Sequence, residues 1–177
     1  MRWAMNGRDP GSDFHDVPRP VRALPPTGAY VLIILLKGRA KFKPGKLDET
    51  LLDEGIYAYV GSALAPALLP KRVARHVTKG KKLRWHIDYL LAIPEASVEA
   101  VVAVEARKRI ECNIVSRLTQ GGFKQAVAGF GSSDCSCPTH LLRSPLNDVE
   151  GSALLTHSLI ESLGLAAKVA WIGSIGR

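Results

Sequence analysis

The chain has no apolar run long enough to cross a bilayer. Its longest, Tyr30–Leu36, is the length of a strand, whereas a spanning helix needs about 20 residues. No membrane partner is expected. Cysteine is scarce as well: three residues, an odd count, do not make a disulfide framework, and a cytoplasmic, reducing compartment is the expectation. The start of the chain holds Arg2, Arg8 and Asp9 without an apolar stretch, which argues against a secretory signal. Acidic residues are thin in one place. Between Lys37 and Arg84 four Asp/Glu face twelve Lys/Arg, and this local excess accounts for the whole net charge of +8. A concentrated basic segment suits an anionic partner, nucleic acid first, although a lysine-rich solvated face has the same composition.

What is present is an ordinary globular composition, 46% hydrophobic and 23% charged over 177 residues, enough for one domain with tails. Residues Met1–Pro26, rich in Pro, Arg, Asp and Gly, read as a flexible N-terminal arm or an extension ordered on contact. From Gly28 the pattern changes. The continuous run Tyr30–Leu36 predicts a buried central strand, and a basic loop with a turn at Pro44-Gly45 follows. Gly55–Val60 predicts a second strand, with Tyr57 and Tyr59 on one face and Ile56, Ala58 and Val60 on the other.

Leu69–Lys79 predicts a helix with Arg72, Arg75, His76 and Lys79 on one face, and Arg84–Ala92 a shorter one broken by Pro94. Ser97–Val104 predicts a strand whose Val98, Ala100, Val102 and Val104 share a face. Arg107–Gln120 predicts a third helix closed by Gly121-Gly122, and a Gly/Ser/Cys loop spans Gly129–Cys137. Val149–Leu165 and Lys168–Ile172 predict a last helix and strand. The expected division is an arm over 1–26, a domain over 27–145, and an extension over 146–177 packed on the domain.

Four groups of residues have chemistry to offer. Glu111 falls within the apolar arc of its helix, among Ile110, Ile114, Val115 and Leu118. A carboxylate there needs a metal ion or an arginine, unless the helix end is loose enough to let it reach solvent. Arg72 and His76, four apart, can approach one phosphate, although exposed basic pairs of this kind are often merely solvated. Tyr30 opens one strand and Tyr59 ends the next, and a hydroxyl at a strand mouth can orient or deprotonate water; packing is the commoner duty of a strand tyrosine. Cys135-x-Cys137-x-x-His140, with Cys112 elsewhere, has the residue types of a zinc site without the paired CxxC spacing. A structural loop or a redox pair would use the same residues. His86 and Asp88 fall on opposite sides of a helix and cannot grip one ion, which leaves His86 to pack beside the basic helix or to reach substrate.

Gly28-Ala29-Tyr30, Tyr59-Val60-Gly61 and Leu69-x-x-Arg72-x-x-x-His76, on successive elements, resemble the GIY-YIG nuclease superfamily. GAYVL, YAYVGSA, WHIDYLL, Glu111-Cys112 and GFGSSDC resemble, more narrowly, an uncharacterised GIY-YIG-like family found alone and fused to DNA-repair enzymes. This resemblance covers roughly Gly28 to Arg143. It implies an α/β fold with a small three-stranded antiparallel sheet flanked by helices, here with a C-terminal helix-strand extension. It also implies a metal-dependent endonuclease acting on DNA rather than RNA, in repair or recombination. Glu111 would bind a single Mg²⁺ or Mn²⁺, with Tyr30, Tyr59, Arg72 and His76 as catalytic residues. Lys71, Arg75, Lys79, Lys81, Lys82 and His86 would contact nucleic acid. Three features depart from the pattern: Ala29 in the first triplet, the long stretch between the tyrosines, and Ser62 where nucleases often have lysine or glutamine. The alternatives are a non-catalytic nucleic-acid-binding module and a zinc-stabilised interaction domain on Cys112, Cys135, Cys137 and His140.

Overall fold

The computed structural model describes residues 17–173. Its centre is strand β1 (Gly28–Leu36), whose side chains are apolar in both directions and buried on both faces of a sheet. That is what a continuous apolar run implies when no alternation is present. Strands β4 (Gly55–Ala63) and β5 (Ala96–Glu105) pair antiparallel on either side of it. The sheet continues outward, with β7 (Leu141–Arg143) on β4, β6 (Lys124–Gln125) on β7, and β8 (Ala167–Trp171) on β5. The order is therefore β6-β7-β4-β1-β5-β8. The expected three-stranded sheet is its middle only. β8, expected as a strand over Lys168–Ile172, joins one edge, while β6 and β7, of two and three residues, carry too little alternation to be read from sequence; together they extend the sheet to six. A separate hairpin pairs β2 (Ala40–Phe42), inside what had read as a basic loop over Lys37–Lys46, with β3 (Thr50–Leu52) beyond it.

Helices cover both faces. On one lie α1 (Arg19–Arg22), α2 (Leu68–Val77) and α3 (His86–Leu91), over a core of Tyr30, Leu32, Ile34, Tyr57, Leu69, Val73, Ile87 and Leu90. On the other lie α4 (Glu111–Gln120) and α5 (Val149–Glu161), over Val31, Ile33, Ala58, Val60, Ile114, Leu118 and Ile160. The alternation expected of β4 holds: Tyr57 and Tyr59 face the first core, Ile56, Ala58 and Val60 the second. In β5 it does not hold throughout. Ile33 opposes Ala100 and Ile34 opposes Val98, so Glu99 is an extra residue, a bulge. The bulge turns Val98 to the first core while Ala100, Val102 and Val104 keep to the second.

The segment expected to be an arm lies partly outside the described residues. Its described part, 17–26, carries α1 and puts Val17, Val21 and Leu24 into the first core. At the other end, α5 is capped by Asp148, whose Oδ1 accepts from the Gly151 amide at 2.6 Å, and β8 hydrogen-bonds to β5. No helix among the described residues is long and apolar enough to cross a membrane.

Val21 is fully buried although its helix is a single turn. Val21→Ala is expected to lower unfolding stability by about 1–3 kcal/mol, read from the denaturant midpoint. An unchanged midpoint would show that the segment contributes nothing to the fold.

Candidate active site

The site grows from one cross-strand pair. Tyr30 of β1 stands opposite Gly61 of β4, and a Cβ on Gly61 would lie 2.6 Å from both Cζ and Oη of the tyrosine. Glycine is thus what lets the phenol ring lie flat across the neighbouring strand. Its hydroxyl is 2.8 Å from His76 Nε2 on α2. Tyr59 approaches the same imidazole edge-on, at 6.3 Å between centroids, and meets Phe130 at 6.0 Å on its other side.

His76 is buried, and desolvation holds its pKa down to about 3 against the opposing pull of Asp88; it is neutral at physiological pH. Burial, first of all, raises the pKa of both tyrosines, with Arg72 pulling the other way. The phenols are therefore protonated hydrogen-bonding groups. This favours orienting water over deprotonating it.

Beneath them lies a carboxylate with no solvent exposure. Asp88 on α3 takes Arg75 in a two-pronged ion pair, Nη1 to Oδ1 at 2.9 Å and Nη2 to Oδ2 at 3.0 Å. Its Oδ2 also accepts the amides of Arg84 and Trp85, at 2.9 and 3.1 Å. Burial pushes the Asp88 pKa up, but these hydrogen bonds outweigh it and leave it below the ordinary value. Trp85, held by this cap, stacks under Arg75 at 4.5 Å and Arg72 at 5.2 Å from its ring centroid.

Glu111 enters from the opposite layer, at the first turn of α4, where the helix dipole favours a carboxylate. It is buried, as the apolar arc of its helix implied. Ser62 Oγ donates to its Oε1, while Oε2 is buried with no hydrogen-bond partner. Arg72 Nη1 donates to the carbonyl of the same Ser62. Alternation along β4 turns Ser62 away from the tyrosines, so this one residue joins the two layers. Tyr30, Tyr59, Ser62, Arg72, His76 and Glu111 together line a cleft of about 380 Å³, with Arg84, Trp85, His86, Arg109, Ser133, Asp134 and His140 around them.

The other expected residues are placed as follows. His86 lines the cleft and its Nδ1 accepts the Gly131 amide at 3.0 Å. Lys79 Nζ binds the carbonyls of Leu91 and Ala96 at 2.8 and 2.7 Å. Lys81 Nζ binds those of His76 and Thr78, and burial brings its pKa down to about 8. Both ammonium groups, like the Arg75 guanidinium, are engaged with groups of the protein itself, although Lys79, like Lys71 and Lys82, is exposed. Cys112, Cys135, Cys137 and His140 come together, their ligand atoms all within 4.8 Å of one another. Ser62 stood out in the sequence only as a departure from the nuclease pattern, and Arg84 and Arg109 not as site residues at all. Strand alternation was the available signal for Ser62, and proximity in sequence to Glu111 for Arg109.

The chain is thus a three-layer α/β protein with a polar cleft where the layers meet. A protein-family model described as a domain of unknown function, DUF123, matches residues 29–162, and the chain belongs to that family. No curated protein and no solved structure matches it. The resemblance to GIY-YIG nucleases is corrected by this match, because the matching family is one of unknown function and nothing in the comparisons leads to that superfamily. The triplets that carried the resemblance have a local explanation. Tyr30 and Gly61 are a ring-on-glycine packing pair, and at Gly28, with φ of 142°, a Cβ would lie 1.9 Å from the Val104 carbonyl oxygen. Short motifs set by packing do not carry ancestry.

Two outcomes follow from the buried aromatic cluster. Gly61→Ala is expected to cost about 1–3 kcal/mol by overpacking and to displace the Tyr30 ring; unchanged stability and unchanged Tyr30 ring resonances would refute the packing. His76 has a depressed folded-state pKa, so the unfolded chain takes up its proton first. Its contribution therefore weakens stability as pH falls from 6.5 towards 3, by about 1.4 kcal/mol per unit. His76→Gln should flatten the stability–pH slope by that amount relative to wild type, measured by urea unfolding between pH 7 and 4.5. Parallel slopes would contradict the buried neutral state.

Proposed function

We propose that the cleft binds the phosphodiester backbone of nucleic acid, DNA foremost, and hydrolyses it with a divalent cation held at Glu111. The observation that carries this reading is Glu111 Oε2, a buried carboxylate oxygen without a hydrogen-bond partner in a cleft whose other carboxylate, Asp134, is already paired with Arg109. An oxygen donor of this kind suits Mg²⁺ or Mn²⁺. When bound, such an ion would polarise the phosphate and stabilise the leaving oxygen.

The chain's own residues supply the remainder. Arg72, pinned by the Ser62 carbonyl and stacked on Trp85, would face the phosphate with a guanidinium already oriented. Arg84 on the rim would add positive charge, Arg109 being paired there with Asp134, and exposed Lys71 and Lys82 would extend it along the strand. Tyr59 and Tyr30, as neutral phenols, would position the attacking water. Neutral His76 would hold Tyr30 in place rather than bind a phosphate as a cation. Ser62 would keep Glu111 aimed at the cleft from its occupied oxygen.

A nicking assay on supercoiled plasmid, with and without Mg²⁺, tests the reading, with an RNA of similar length as the second substrate. Wild type should nick, and Glu111→Gln should lower the rate by at least about a hundredfold while DNA binding in a shift assay persists. If wild type nicks no better than the variant and both still bind DNA, the nuclease reading fails and the cleft is a non-catalytic binding surface.

A further inference from the structure

Residues 126–140, between β6 and β7, contain no strand or helix. Connections in compact domains usually run to about 4–6 residues, and longer ones need their own reason to stay ordered. Hydrophobic anchoring here is modest, with Val127 and Phe130 the buried apolar residues. The loop nevertheless forms one wall of the cleft, through Gly131, Ser133 and Asp134. An ion pair of Asp134 with Arg109, at 2.7 Å, joins it to the start of the helix that carries Glu111, but a pair so open to solvent contributes little by itself.

Three groups of this loop point to one place: the thiols of Cys135 and Cys137 and the imidazole of His140. The fourth, Cys112, comes from α4, more than twenty positions earlier, and follows Glu111 directly. Cys135 Sγ and His140 Nε2 are 3.3 Å apart, and all four ligand atoms lie within 4.8 Å. Zinc bonds of about 2.3 Å to sulfur and 2.0–2.1 Å to nitrogen put the donors of a tetrahedron of three sulfurs and one nitrogen about 3.5–3.8 Å apart. The Cys135–His140 pair is within about 0.3 Å of that separation, and a contraction of about an ångström closes the rest.

The backbone around the histidine is prepared for such a load. The His140 amide donates to Phe130 O at 2.7 Å, and its carbonyl accepts the Val60 amide of β4 at 2.9 Å. A disulfide would use two of the three thiols and leave the third beside the histidine without a role. A soft cation uses all four groups.

We propose that Cys112, Cys135, Cys137 and His140 form a closed structural Zn²⁺ site that ties the 126–140 loop to the start of α4. The donor set is soft, three thiolates and an imidazole, unlike the lone carboxylate oxygen of Glu111, so the two positions select different metals. Four protein ligands leave no open coordination position, so this zinc holds structure and does not activate water. Its consequence is positional. The residue after Glu111 and the residue at the end of the cleft wall become ligands of one ion, and the two sides of the cleft are clamped together. The site stands whether or not the cleft cleaves phosphodiesters.

The test uses the full chain expressed without a metal-binding tag. Elemental analysis after exhaustive dialysis should find one zinc per chain, and Co²⁺ exchanged into the site should show tetrahedral ligand-field bands with thiolate charge transfer. Cys137→Ser and Cys112→Ser should each lose the metal. Chelation of wild-type zinc should speed amide exchange in 126–140 by at least about tenfold while β1, β4 and β5 stay protected. Wild type that dialyses to no zinc and gives only an octahedral Co²⁺ spectrum overturns the site, whatever the variants do. Zinc present with unchanged exchange in the loop overturns the clamping role. Plasmid nicking enters none of these readouts, so failure of the nuclease reading is seen separately.

Discussion

A carboxylate that no water reaches governs this structure. Asp88 sits at the start of α3 and must be satisfied from within the protein, because an unpaired buried charge costs several kcal/mol. Two nitrogens of Arg75 and the amides of Arg84 and Trp85 meet it. Those four bonds set how α3 leaves the preceding loop and how it lies against α2. Trp85 is then fixed under the guanidinium groups of Arg72 and Arg75. The ion pair itself need not add net stability; its effect is to permit one arrangement and make others costly.

Around this pair the protein divides its cations into two uses. Arg75, Lys79 and Lys81 bind the protein's own groups, Asp88 and carbonyls at the ends of α2 and α3. Arg72, Arg84 and Arg109 border the cleft. Composition cannot make that division, since a lysine capping a buried helix end and a lysine in solvent look alike in sequence. His76 shows the same economy. Burial keeps it neutral, so it acts as a hydrogen-bonding strut for Tyr30 although it lies in the most basic stretch of the chain.

Much of the core was legible residue by residue. The unbroken apolar run of β1 implied a strand covered on both faces, and the alternation of β4 placed the tyrosines together. Glu111 was recognisable from the wheel of its helix as a carboxylate among Ile114, Val115 and Leu118; the structure buries it and gives one oxygen the Ser62 hydroxyl rather than an arginine. Short elements escaped. β6 and β7 have two and three residues, and β2 and β3 three each, too few for a period to show. The Glu99 bulge escaped too, since an inserted residue preserves the look of a β-rich run while reversing the faces beyond it. The family resemblance failed for a related reason: triplets such as Gly28-Ala29-Tyr30 report what a strand pair must do locally to pack a ring on a glycine.

By itself, then, the sequence determined the strand and helix faces, because burial period and residue type are local properties. It also determined that Glu111 needed a partner, since the cost of burying a charge attaches to the residue wherever it goes. Only the tertiary structure decided which partners those groups have. Ser62 meets Glu111 because β4 and the start of α4 converge from different layers, and Cys112 meets Cys135, Cys137 and His140 because a long loop folds back over that same helix end. These pairings span tens of residues along the chain, and distance in space is set by the whole packed core rather than by spacing in sequence.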